Sequence, residues 1–131
     1  MGKLRGAVLL AFCVIFLFLV AFLVNVDIES TPTPEVNQEA LAEVHEYSQN
    51  SNVSAAYLIY HLQCIGYTYE ESKLAVSIAG IDWEKEATDF AIWTLECEPQ
   101  IDYENMKDRL EYAGFTQSEI TLALNLIFGR G

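Results

Sequence analysis

The sequence predicts an all-α protein: an N-terminal transmembrane helix followed by two tandem three-helix repeats of helix-turn-helix geometry. Three observations predict it. Residues 7–24 are 18 consecutive uncharged, apolar positions. The stretch Leu62-Gln63-Cys64-Ile65-Gly66-Tyr67-Thr68-Tyr69-Glu70-Glu71 returns 48 residues later as Leu110-Glu111-Tyr112-Ala113-Gly114-Phe115-Thr116-Gln117-Ser118-Glu119. A period of this length marks a duplicated supersecondary unit. Elsewhere the apolar residues recur at helical spacing, and no segment alternates with the period of two that a half-buried strand requires.

The apolar stretch comes first. With Asn25 and Val26 it covers 20 positions, about 30 Å as a helix, which matches the hydrocarbon core of a bilayer. Lys3 and Arg5 precede it, while Asp27 and Glu29 follow. The positive-inside bias then leaves the N-terminus in the cytoplasm and places residues 27–131 outside, as a single-pass membrane protein. A cleaved signal peptide is the alternative, but its apolar region is normally shorter and ends in a small-residue site absent near Val26. Cys13 raises lipidation as a third option, yet Phe12 stands where such signals place a small residue. The expected divisions are residues 1–26 as anchor or signal, 27–34 as spacer, 35–83 as the first repeat and 84–131 as the second.

Pro32 and Pro34 stiffen the spacer, and Thr33 is placed to cap a first helix over residues 34–48 with Pro34 in the tolerated first turn. Val36, Ala40, Leu41, Val44 and Tyr47 form its apolar face. Ser54 caps the second helix, whose stripe is Leu58, Ile59, Leu62 and Ile65. Gly66 stops it, because the left-handed residue after a helix is cheapest as glycine. Thr68 and Glu71 then form a capping box for the third helix, with Leu74, Ala75 and Ile78 inward. Asp82 caps the fourth helix, with Ala87, Phe90, Ala91, Thr94 and Leu95 on one face until Glu98-Pro99-Gln100 breaks it. Asp102 caps the fifth, lined by Met106, Leu110 and Ala113 and stopped by Gly114. Thr116 and Glu119 repeat the box for the sixth, with Ile120, Ala123, Leu124 and Ile127 inward. Each unit alone buries little, so the copies are expected to pack on each other.

Charge narrows the function classes. All 19 acidic residues lie at or beyond Asp27, against five basic ones (Lys73, Lys85, Lys107, Arg109, Arg130), leaving the outer part at −14. Such a surface repels nucleic acid and anionic headgroups, so a DNA role for the helix-turn-helix geometry is excluded. It suits a basic protein partner, or serves solubility alone. His45 and His61 have no metal-ligand spacing, and nothing assembles a nucleophile, base and oxyanion donors; no enzyme, cofactor or small-molecule substrate is expected. Cys64 and Cys97 fall outside the repeat pattern, either as a disulfide closing a loop worth about 3 kcal/mol or as two buried free thiols. Asn52-Val53-Ser54 fits a glycosylation acceptor pattern, relevant only in a eukaryotic secretory setting.

The repeated pattern resembles the Ltp family of phage superinfection-exclusion lipoproteins, also described as the host cell surface-exposed lipoprotein domain. The first copy carries it in Ala40-Leu41, Tyr47, Ser54, Leu62, Gly66-Tyr67-Thr68, Glu71, Ala75 and Ile81-Asp82-Trp83; the second in Ala87, Ala91, Asp102, Leu110, Gly114-Phe115-Thr116, Glu119 and Ala123. The second copy has one extra residue near Pro99 and lacks a second Asp-Trp. The resemblance implies a domain held at the outer face of the bacterial cytoplasmic membrane that stops a second phage from delivering DNA, with the incoming tape-measure protein as the proposed target. Residues 7–26 would replace the lipid anchor. The other reading is a bacterial envelope surface protein that binds a host envelope partner. For either, the candidate contact surface is the acidic rim Glu70, Asp82, Glu84, Glu86, Asp89, Glu96, Glu98, Asp102 and Glu104, with Trp93 as an anchor if exposed. A plain solvated surface, with Trp83 and Trp93 packed inside, is the alternative.

Overall fold

The computed structural model describes residues 34–129. Among them are six helices and no strand: α1 (Gln38–Asn50), α2 (Ala55–Cys64), α3 (Tyr69–Ile78), α4 (Trp83–Cys97), α5 (Tyr103–Tyr112) and α6 (Gln117–Phe128). No helix among the described residues is long and apolar enough to cross a membrane, and the expected transmembrane segment lies outside them.

The duplicated motif folds twice into the same bonded unit. At the end of α2, Gly66 takes φ 113°, the Tyr67 N–H donates to the Leu62 carbonyl at 3.1 Å and the Gly66 N–H to that of Gln63 at 3.2 Å. At the end of α5, Gly114 takes φ 88°, Phe115 donates to Leu110 at 3.2 Å and Gly114 to Glu111 at 3.0 Å. Both are the paired helix-ending bonds that a left-handed residue permits. Both capping boxes then close. The Thr68 N–H donates to Glu71 Oε2 at 2.8 Å, and the Thr116 N–H to Glu119 Oε2 at 2.8 Å. Each threonine oxygen accepts from its glutamate's amide in return. The Glu71 carboxyl is held below its ordinary pKa, first by the Thr68 amide and then by the Asn37 side chain.

Two cores result. Ala40, Val44, Leu58, Leu62, Ala75 and Val76 form the first; Ala87, Ala91, Met106, Leu110, Phe115, Ile120, Ala123 and Leu124 form the second. The six residues of the first core each have a counterpart in the second, 47 positions on for the first helix of each unit and 48 for the other two. The step is the extra residue before α5. In the first unit α1 and α2 pack on α3; in the second α4 and α5 pack on α6.

Four local expectations need correction. The first helix starts at Gln38, capped by Asn37 and not by Thr33, because the Asn37 side chain accepts from the amides of Glu39 and Ala40 together. Thr33 itself is outside the described residues. Ile65 and Ile78 are 50% and 46% exposed, since each lies at or past the last turn of its helix, where the core face has ended. Val76 and Ser72 are buried instead, and the Ser72 hydroxyl is satisfied by the Thr68 carbonyl at 2.7 Å. Finally, the copies, expected to pack on each other, keep two separate apolar cores.

What joins them is α4 and a polar seam. Ile81, just before α4, and Trp83, its first residue, pack against the first core, while Ala87 and Ala91 on α4 belong to the second. Two hydrogen bonds cross between units: the Ser54 hydroxyl donates to the Ala113 carbonyl at 2.6 Å, and the Val53 N–H donates to Glu86 Oε2 at 3.3 Å.

Candidate partner-binding surface

Ser54 does two things at once. Its oxygen caps α2 by accepting from the Tyr57 amide at 3.1 Å, and its proton reaches the α5–α6 turn. It is 1% exposed. The counterpart in the second unit, Asp102, caps α5 alone and faces solvent. Gly114 sits against the seam from the other side: a Cβ there would lie 2.9 Å from Ser54 Oγ and 3.3 Å from Ala56 Cβ, whereas one at Gly66 would meet nothing within 4 Å. The duplicated glycines therefore serve one turn geometry, and only the second also allows a close approach of the repeats. Sequence reasoning found Ser54 as a cap and Gly114 as a helix stop, but not their contact, because nothing local links positions 60 residues apart.

Beside the seam the loop Asn50-Ser51-Asn52 and the α4 side chains Phe90 and Trp93 line a groove of about 380 Å³. Trp93 is 54% exposed and lies with its ring centroid 6.1 Å from that of Phe90, which in turn packs on Phe115 of the second core at 5.5 Å. Trp83, by contrast, is partly buried against the first core. The two tryptophans thus divide into one packing residue and one available anchor. A second cleft, of about 530 Å³, lies between Glu98-Pro99-Gln100-Ile101 and the α5 side chains Asn105 and Arg109.

The acidic rim is less uniform than its sequence suggests. Asp82 and Asp102 spend their side chains as N-caps on the amides of Lys85 and Asn105. Asp89 pairs with Lys85, whose pKa rises because of that bond, and Glu98 pairs with Arg109 at 2.7 Å. Glu86 is partly buried at the seam; loss of water around its carboxyl raises its pKa, although the Val53 amide opposes this. Glu84, Glu96 and Glu104 are exposed, as is Glu70 in the first turn of α3. Exposed pairs such as Glu98–Arg109 stabilise by no more than about 1 kcal/mol. The rim is chiefly a field, concentrated along α4 and its C-terminal loop.

The cysteines follow the free-thiol alternative in pairing but not in burial. Cys64 and Cys97 are free, and both are exposed. Each is the last residue of its helix, beyond the turn that faces the core. His61 is part of an aromatic cluster, 4.5 Å from Tyr47 and stacked at 10° on Tyr57, while Tyr47 and Tyr57 share a hydroxyl contact of 3.1 Å. His45 is exposed on α1. Among the described residues no group of His, Cys, Asp and Glu is arranged to hold a metal ion.

No protein-family pattern matches the chain, and no curated protein sequence does. The structure, however, matches the solved structure of Ltp, a superinfection exclusion protein from the Streptococcus thermophilus temperate phage TP-J34, with a TM-score of 0.61 and 25% sequence identity. The match covers 66% of this chain and 90% of that one. The likeness read from the duplicated motif is therefore also a likeness of fold: in its all-helical architecture this chain is similar to Ltp.

Proposed function

We propose that this chain is a superinfection-exclusion protein, held at the outer face of the bacterial cytoplasmic membrane by residues 7–26, that binds a basic component of an incoming phage and blocks genome entry. The fold likeness to Ltp carries the reading. The charge supports it, since an outer part at −14 favours encounter with a cationic polypeptide and disfavours nucleic acid. The tape-measure protein of the phage tail is the partner that the family resemblance suggests. The part played by the protein is binding, not catalysis: α4 and the seam loop offer an aromatic anchor within an acidic field, the pairing that gives an interface both affinity and steering.

The test is a comparison of cells with and without the chain during phage challenge. Cells expressing it should adsorb phage normally, receive no phage DNA and form few plaques. A form lacking residues 1–26 should protect poorly, because tethering sets the local concentration at the membrane. Normal DNA entry into cells displaying the full chain would refute the proposal. Recovery of host envelope proteins alone in a pull-down would favour an envelope-binding role instead.

A further inference from the structure

We infer that the groove between the two repeats is the docking site for a cationic polypeptide segment, with an Arg or Lys side chain seated on the Trp93 ring. Both repeats build it: the first supplies Asn50, Ser51 and Asn52, and the second supplies Phe90 and Trp93. Trp93 is a large apolar side chain left 54% exposed, although Phe90 beneath it is anchored on the second core. An indole face is the best aromatic partner for a guanidinium or ammonium group.

The helix that carries Trp93 completes the recognition. Glu86, Asp89 and Glu96 stand seven and four residues before it and three after it, on its own side of α4. Asp89 is matched by Lys85 and Glu86 accepts the Val53 amide, so Glu96 adds the carboxylate nearest in register that faces solvent. The seam loop contributes the Asn52 side-chain amide, able to bond a peptide backbone, while Asn50 Nδ2 donates to the Glu46 carbonyl at 2.8 Å. Its position is set beforehand by the Val53–Glu86 and Ser54–Ala113 bonds, which lowers the ordering cost of binding. Charge selects the occupant. With the outer part at −14, a second copy, nucleic acid and anionic lipid are all repelled, and a positively charged segment is attracted.

This inference deepens the exclusion reading and rests on it only for the source of the segment. The test uses the full chain in zwitterionic detergent and a fluorescein-labelled peptide of alternating Arg and Gly, with a Glu–Gly peptide as control. The Arg–Gly peptide should bind, weaken as salt is raised, and shift amide resonances at Asn50–Asn52 and the Trp93 indole. Trp93→Ala should weaken binding at least about tenfold, with Trp93→Phe between it and the native chain. Tyr60→Ala, on the first repeat and 65% exposed, should leave binding unchanged. Circular dichroism of each variant separates lost binding from lost folding. Binding that is equal in Trp93→Ala, or resonance shifts confined to other surfaces, would overturn the inference. So would peptide-free self-association abolished by Trp93→Ala, which would make a second copy the occupant. A parallel plating assay keeps the two ideas apart: failure of the native chain to exclude phage would sink the exclusion reading, while the peptide titration still decides the groove.

Discussion

Removing the Ser54 hydroxyl should cost about twice what removal of an ordinary helix cap costs. Ser54→Ala deletes the acceptor for the Tyr57 amide and the donor to the Ala113 carbonyl. The first loss is that of an N-cap, about 1 kcal/mol. The second leaves an acceptor at the seam without its partner, about 1–2 kcal/mol more. Thr68→Ala is the reference, because it deletes a hydroxyl that only caps, accepting the Glu71 amide at 3.2 Å, in the same repeat. It should cost about 1 kcal/mol. With a urea dependence of ~1.5 kcal/mol per molar, the unfolding midpoint should fall by ~1.5 M for Ser54→Ala and ~0.7 M for Thr68→Ala. The tryptophans make the assay local, since Trp83 packs on the first core and Trp93 lies beside Phe90 of the second unit. Single-tryptophan variants should unfold together in the native background, because α4 runs through both cores. Equal midpoints for Ser54→Ala and Thr68→Ala would show that the seam bond contributes nothing, and the account of how the repeats are held would fail.

Other changes test neighbouring parts of the argument. Gly66→Ala and Gly114→Ala both force a Cβ into positive φ, costing about 1–2 kcal/mol, but the second also meets Ser54 Oγ at 2.9 Å and should be the more destabilising in thermal melts. Leu62→Ala and Leu110→Ala each empty a fully buried site and should cost about 2–5 kcal/mol, with Leu62→Ala read first by Trp83 and Leu110→Ala by Trp93. Glu86 and Glu71 should oppose each other in the pH dependence of stability. The raised pKa of Glu86 means a contribution present in acid and lost as pH rises through its folded value, so Glu86→Gln, which keeps an acceptor for Val53, should stabilise at neutral pH. The depressed pKa of Glu71 means a contribution present at neutral pH and lost as pH falls through its folded value; in Glu71→Gln that acid-side loss should vanish from a pH series of melts. Arg109→Ala breaks an exposed pair and should change stability by less than about 1 kcal/mol.

Most of the repeat is legible in the sequence, because its signals are short-range. A capping box needs Thr and Glu three apart, a left-handed stop needs a glycine, and a core stripe needs apolar residues at turns of a helix. Thr68–Glu71, Gly66, Leu58 and Leu62 satisfy these rules within a dozen residues, and their counterparts repeat them. The start of the first helix is not legible in the same way, because Thr33 and Asn37 are both good caps by type, and Asn37 is the one whose side chain reaches two amides at once. Ile65 and Ile78 keep the helical spacing of the core stripe, but each lies at or past the last turn of its own helix, which spacing does not reveal. The acidic residues were readable as charge but not as partners: nothing in the order of letters says that Glu98 meets Arg109 or that Glu86 holds the Val53 amide.

The amino-acid order alone settles that the chain makes two helical units of one design and that residues 27–131 are acidic, since both follow from local spacing and composition. Where those units touch was left to the three-dimensional fold. Ser54 against Ala113 and Gly114 and the groove beside Trp93 both depend on the direction in which α4 carries the chain from one core to the next. Contacts between positions far apart in sequence arise only when rigid elements are packed, and their chemistry is invisible until that packing is known.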